Sequence, residues 1–308
     1  MALIIVAVLG IVFRLTSGDG GPGAGSATAR AVNSAARTLP WPQEGQTSVL
    51  VEGLGDRGDL GTKGAQTPVP IASLTKVMTA YVILRGHPLR RGETGPDITV
   101  DQQADGESVS GVESSVPVRA GQRLSERRLL ELMLIPSGNN IARLLARWDA
   151  GSQEAFATKM NQAAHVLGMH RTTYTSASGL ESTTISTSAD QLKLAQQVMR
   201  DEVIRSIVAM PSTTAPGTSG RISNTNALLG TSGVIGLKTG SSTPAGGNLM
   251  WAATAPDGSG QDRLILGVVL HQQAGTSPQQ GLQAAFTSSA TLIEGVRQWL
   301  AQTEPGTR

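Results

Sequence analysis

Three short stretches of this chain carry hydroxyls, amines and amides at spacings that could do chemistry. The first is IASLTKVMTAYVIL, residues 71–84, which keeps Ser73 and Lys76 inside a nearly all-apolar run. On a helix, positions i and i+3 are neighbours, so the lysine amine can approach the serine hydroxyl. Ser73 falls in the first turn, where free N–H groups and the positive end of the dipole stabilise developing negative charge. Leu74, Val77 and Met78 around Lys76 would desolvate its amine, favouring the neutral form that acts as a base. This is the one S-x-x-K in the sequence, and it uses one of only five lysines. Taken alone, the stretch reads equally as a helix cap followed by a surface lysine.

The second stretch is PSGNN, Pro136 to Asn140, where Ser137 and Asn139 offer a hydroxyl and an amide. An ordinary turn and helix cap would use the same residues. The third is GLKTGSS, Gly236 to Ser242. Lys238 supplies a cation, Thr239 a hydroxyl, and Gly240 room for a substrate backbone, although a strand running into a loop would read the same way.

The elements that must position these groups follow from periodicity and punctuation. TSVLVEGL from Thr47 is strand-like and leads into the glycine-rich turn GDRGDLG, where a tight loop is preferred to an adhesion tripeptide. A helix starts near Ala72 and is bounded by Gly86 and Pro88. Residues 88–122 are polar and glycine-rich, with alternating pieces such as SVPV. Helices are expected from Ser125 to Pro136, from Ser137–Asn139 onward, and over GSQEAFATKMNQAAHVLG with Ser152 as N-cap and Gly168 at its C-terminal end. A further helix, DQLKLAQQVMR, is expected to have a capping box of Ser188 and Gln191. GVIGLKTG, GNLMWAATA and DRLILGVVLHQ read as strands, the last two joined by a turn at Asp257-Gly258. A final helix opens at Ser277-Pro278 with Gln280 completing a capping box. The order predicts an α+β fold, with an antiparallel sheet flanked by helices and a mainly helical inserted region.

S-x-x-K, S-G-N and K-T-G in this order, widely separated, resemble the penicillin-recognising serine acyl-enzymes. The strings PIASLTKVMTAYVIL, LLELMLIPSGNNIARLLA, LGMHRTTYTSASGL, STSADQLKLA, SNTNALL and GLKTGSSTPAGGNLMWAAT narrow this to the D-alanyl-D-alanine carboxypeptidases of low molecular weight. The resemblance runs from about Gln43 to Leu270 and implies a β-lactamase/transpeptidase-like fold. It implies that Ser73 attacks the carbonyl between two D-alanines, that Lys76 takes its proton, and that an acyl-enzyme forms. The N–H groups of Ser73 and Ser241 would form an oxyanion hole. Ser137 would relay a proton to the departing amine, Asn139 would hold the peptide amide, and Lys238, Thr239, Gly240 and Ser241 would bind the substrate end. β-Lactams would be covalent inhibitors. Two positions depart from the pattern: Asn140 stands where aspartate is usual, and Ser241 where an aromatic residue or histidine is common. A DD-endopeptidase, a β-lactamase of the same fold, or a non-catalytic peptidoglycan-binding sensor are the alternatives. The E-x-x-N context of the deacylating glutamate of class A β-lactamases occurs nowhere in the chain, and neither does a G-x-S-x-G elbow.

Composition excludes other chemistries. The 308-residue chain has no cysteine, and its net charge of +2 gives no argument for nucleic acid. Its four histidines have no metal-binding spacing, so no metal and no cofactor is expected. Ala2 to Phe13 are uninterrupted apolar or glycine residues, about 18 Å as a helix against a hydrocarbon core of about 30 Å. Residues 1–15 are read as an export signal or membrane anchor and 16–42 as a flexible linker. The peptidase domain is placed at 43–302 and a tail at 303–308, without the second β-rich domain or C-terminal anchor of many relatives. This arrangement implies export to the outer face of a bacterial membrane or to the wall, with peptidoglycan stem peptides as partners and the membrane as another if the N-terminal segment is retained.

Overall fold

The computed structural model describes residues 38–303 apart from 55–58, 110 and 216–219. The apolar N-terminal segment, most of the linker, the Arg57-Gly58 part of the glycine-rich turn and residues 304–308 lie outside the described residues.

Strands β1 (Gln46–Val51) and β2 (Asp59–Lys63) form a hairpin, and β3 (Val69–Pro70) follows. A 3-10 turn (Ala72–Leu74) then runs directly into helix α1 (Thr75–Gly86). The inserted region continues as β4 (Asp97–Thr99), α2 (Gln102–Gly106), β5 (Arg123–Ser125), α3 (Glu126–Leu134), α4 (Asn139–Ala150) and α5 (Gln153–Val166). It ends with β6 (Ile185–Ser186), α6 (Ser188–Val198), α7 (Glu202–Val208), β7 (Ser212–Thr214) and β8 (Arg221–Ser223). The chain returns to the sheet with β9 (Val234–Ser242), β10 (Gly246–Pro256) and β11 (Asp262–Gln272), and α8 (Pro278–Ala301) closes it.

The main sheet has the order β2-β1-β11-β10-β9, every pair antiparallel. Its inner strands β10 and β11 are largely apolar on both faces, because side chains alternate with period two and both faces are covered. Met250, Leu266, Val268 and Leu270 point into the core shared with the inserted helices, including Leu74 and Met78 of the α1 segment. Leu249, Trp251, Ile265 and Val269 point the other way, against Leu292, Ile293 and Val296 of α8. Trp251 pairs across the ladder with Gly267, and a methyl group there would lie 2.1 Å from the indole. The ring therefore lies flat over the neighbouring strand, filling the space a side chain would take.

The helix starts follow capping chemistry. Ser125, Ser152 and Ser277 each accept from a backbone N–H at N3, and Ser277 with Gln280 forms the complete capping box behind Pro278. One expected cap moves by a residue: Thr187, not Ser188, caps α6 through the N–H of Asp190. The Ser188 hydroxyl is instead 2.9 Å from that of Ser48 on β1, and the Gln191 side chain donates to Tyr174 and Ser186. The alternating SVPV piece forms no strand. Pro117 has no N–H to give, and the N–H and carbonyl of Val116 are both taken by the Asn140 side chain.

Glu126, the first residue of α3, is fully buried and neither carboxyl oxygen has a hydrogen-bond partner. Burial raises its pKa from the ordinary 4.5 to about 7. The folded chain therefore holds this proton to higher pH than the unfolded chain does. Its stabilising contribution is complete below about pH 4.5, declines as pH rises to about 7, and is flat beyond. Thermal melts should show Tm falling across that window, and Glu126→Gln should flatten the decline.

Candidate active site

The turn before α1 brings Ser73 to the surface of the core while Lys76, three residues on, is fully buried. Its Nζ has three oxygen neighbours: Ser73 Oγ at 2.8 Å, Asn139 Oδ1 at 2.5 Å and the carbonyl of Ser178 at 2.9 Å. Burial, followed by the nearby charges of Lys238 and Arg143, holds its pKa well below the ordinary lysine value, while Glu113 and Glu181 oppose the shift. A neutral amine has two N–H bonds and one lone pair. Asn139 Oδ1 and Ser178 O can only accept, so they take both N–H bonds. In that neutral form the lone pair is left for Ser73, the only one of the three with a proton to give. The surface-lysine reading of this stretch is thereby excluded.

The K-T-G segment lies on β9, at the edge of the sheet, and packs directly against the 3-10 turn carrying Ser73. Gly240 makes that approach possible: a methyl group at this position would sit 2.9 Å from both Ile71 O and Ser73 N. Lys238 is buried and donates to the carbonyl of Thr239 at 3.0 Å; burial lowers its pKa to about 7. Thr239 is 2.7 Å from the hydroxyl of Thr225, in the loop before β9. Ser241 follows at a half-buried position on the same strand.

Ser137 sits in the turn before α4 at φ 67°, buried, and its hydroxyl has no hydrogen-bond partner. The structure thus joins Ser73, Lys76 and Asn139 in one hydrogen-bonded cluster and brings Gly240 against Ser73, while Ser137 contacts none of them through a hydrogen bond. Among the described residues no group of three or more His, Asp or Glu side chains is arranged to hold a metal ion.

The sequence profile of the family described as D-alanyl-D-alanine carboxypeptidase matches residues 44–273. The chain belongs to this family. Membership makes it a serine hydrolase of the D-Ala-D-Ala peptidase type. The carboxypeptidase family member from Streptomyces sp. strain K15 is 34% identical over 211 residues, covering 63% of this chain and 72% of its own. The D-alanyl-D-alanine endopeptidase of Pseudomonas aeruginosa is 37% identical over 157 residues, covering 51% of this chain and 48% of its own. The D-alanyl-D-alanine carboxypeptidase DacA of Escherichia coli is 33% identical over 206 residues, 64% of this chain and 49% of its own. The chain thus spans about half the length of the latter two. The crystal structure of the Streptomyces K15 DD-transpeptidase superposes with a TM-score of 0.68 at 29% identity, covering 81% of this chain and 95% of that one. The α+β, transpeptidase-like fold expected from the motifs is the fold observed.

In this carboxypeptidase-family chain the unusual Asn140 has a structural task. It is fully buried, accepts from Val116 N at 3.0 Å and donates to Val116 O at 2.9 Å and Ala104 O at 3.1 Å. An aspartate could keep the first contact and neither of the others. The residues that no motif pointed to are Glu113, which accepts from Asn139 Nδ2 at 2.7 Å, Arg143, which holds Glu113, and the carbonyl of Ser178. TYTSASGL was legible only as a string shared with the family, because a backbone carbonyl has no residue type to announce it.

Asn140→Asp should lower Tm and cost about 1–3 kcal/mol for each carbonyl left without a donor, as measured by denaturant unfolding.

Proposed function

We propose that this protein is a serine D-alanyl-D-alanine carboxypeptidase that removes the terminal D-alanine from peptidoglycan stem peptides through an acyl-enzyme on Ser73. The observation that carries the reading is the buried Lys76 amine, 2.8 Å from the Ser73 hydroxyl and also held by two acceptor-only oxygens, Asn139 Oδ1 and Ser178 O, which in the neutral amine take both N–H bonds. Lys76 withdraws the proton as Ser73 Oγ attacks the carbonyl between the two D-alanines. The tetrahedral oxyanion is held by the N–H groups of Ser73 and Ser241, one at the start of the α1 segment and one on β9. Loss of one such donor generally costs about 10²–10³-fold in rate.

The substrate lies extended along the outer edge of β9, where no further strand of the main sheet pairs. Lys238 and Thr239 receive its terminal carboxylate, and this demand for a free C-terminus favours carboxypeptidase over endopeptidase action. The second N–H of the Asn139 amide meets the peptide, and the unpartnered hydroxyl of Ser137 relays the proton taken up by Lys76 to the departing D-alanine amine, receiving one as it gives one. Water then releases the shortened peptide. β-Lactams present the same carbonyl and carboxylate and acylate Ser73. The catalytic unit, residues 43–302, acts outside the cell, with residues 1–15 serving as its export signal or membrane anchor.

Fluorescent penicillin should label the wild type covalently, and Ser73→Ala should label at background while melting normally. Equal labelling of that variant would sink the assignment. D-Alanine should be released from a pentapeptide; labelling without release would leave a sensor. The pH profile has a worked sign. Lys238 carries its charge below about pH 7 and loses it above. The kcat/KM for a peptide with a free carboxylate should therefore fall above about pH 7, mainly through KM. Lys238→Met should raise KM at lower pH and abolish that fall.

A further inference from the structure

We propose that Glu113 is the positioning residue for the catalytic amine: it fixes which face of the Asn139 amide meets Lys76 and, with Arg143, balances the charge around that amine. The inference rests on the role of Lys76 proposed above.

An amide presents an oxygen and an NH₂ of nearly equal shape, and its neighbours decide which way it faces. Lys76 Nζ meets Asn139 Oδ1 at 2.5 Å. Turned over, the amide would set N–H groups against N–H groups and free the amine of one of the two acceptors that keep its lone pair on Ser73. Glu113 prevents the turn. Its Oε2 accepts from Asn139 Nδ2 at 2.7 Å, and a carboxylate can only accept.

The carboxylate is itself locked. Arg143 lies one helical turn beyond Asn139 on α4, so both reach the same group. Its Nη2 donates to Glu113 Oε1 at 2.5 Å and its Nη1 to Oε2 at 3.2 Å, while its Nε donates to Glu107 at 2.8 Å. The backbone joins in next door, where Asn139 N donates to Ser114 O at 2.8 Å. The Arg143 and Glu113 side chains are only 8% and 9% exposed. Although burial alone would raise the Glu113 pKa, hydrogen bonds from Arg143 and Asn139 hold it below the ordinary carboxylate value. It is therefore a poor general base for water and a good fixed acceptor.

Four charged groups face Lys76: Lys238 from β9, Arg143 from α4, Glu113 from the loop before β5 and Glu181 from the loop before β6. The first two lower its proton affinity and the last two raise it. Removing Glu113 leaves Arg143 uncompensated and pushes that affinity down; removing Arg143 does the reverse. A residue that merely braced the fold would produce neither displacement.

The test is the second-order rate of acylation by fluorescent penicillin, followed across pH with thermal melts alongside. Glu113→Gln should slow acylation at neutral pH about 10–100-fold, the range typical of partners that orient a reacting group. It should also move the acid limb of the profile to lower pH. Arg143→Met should move that limb to higher pH, and Glu113→Asp should return it to the wild-type position. Wild-type rate and limb in Glu113→Gln, or a slower rate with an unmoved limb, would overturn the proposal. If Glu113→Gln does not melt cooperatively, Arg143→Met decides alone: an upward shift supports the role and an unmoved limb refutes it. Failure of the wild type to acylate at all is a separate result, and it would remove the function proposed above instead.

Discussion

Everything in this molecule that concerns chemistry depends on one amine held out of water. An ammonium buried among protein atoms is costly unless its three N–H bonds are met, and a neutral amine needs only two acceptors. Lys76 is supplied with two permanent acceptors and one hydroxyl, from Asn139, Ser178 and Ser73. Local geometry gives only the last of these. The acceptors come from residues 63 and 102 positions away in sequence. The inserted helices and the loop at Ser178 thus act as a clamp around a single nitrogen.

The sheet supplies the other wall. Because β9 is terminal in the order β2-β1-β11-β10-β9, one of its edges is held by β10 and, among the described residues, no strand of the sheet pairs with the other. The two cores cover the sheet on both faces: the turn of Ser73 packs against it from the helical core and α8 covers its back. Gly240 fixes how near strand and turn can come. The turn of Ser73 and the strand of Lys238 and Thr239 are therefore separate elements whose spacing is set by packing.

Much of this was legible in the sequence, for identifiable reasons. A helix that keeps two polar residues in a buried run advertises them, since polar groups in such places need a purpose or a partner. Strands β9, β10 and β11 announce themselves by apolar runs between glycine-rich turns, and α8 by its Ser-Pro-x-Gln start. Contacts made by backbone, or across long loops, left no comparable trace. Ser178 contributes a carbonyl that any residue would carry. Asn140 looked like a change in the site and instead ties α4 to the backbone of Val116 and Ala104. Thr187 and Ser188 are adjacent hydroxyls; Ser48 and Gln66 occupy the second, and the first caps α6. Glu113 stands in a polar loop where nothing in its neighbours marks it out, because its partners, Asn139 and Arg143, lie on a helix that begins much later.

The order of strands has a consequence for how the molecule comes into being. β1 pairs with β11, so the first strand of the sheet has its inner neighbour at the far end of the domain. Such long loops close slowly, because their entropy is lost before any contact rewards it. Ser73, Lys76 and the S-G-N turn are all made before β9, the strand that packs against the Ser73 turn, exists. A chain emerging from its N-terminus thus carries the serine and the lysine early but lacks the wall beside them. The pocket stays one-sided until β9, β10 and β11 have docked, and its geometry arrives together with completion of the fold.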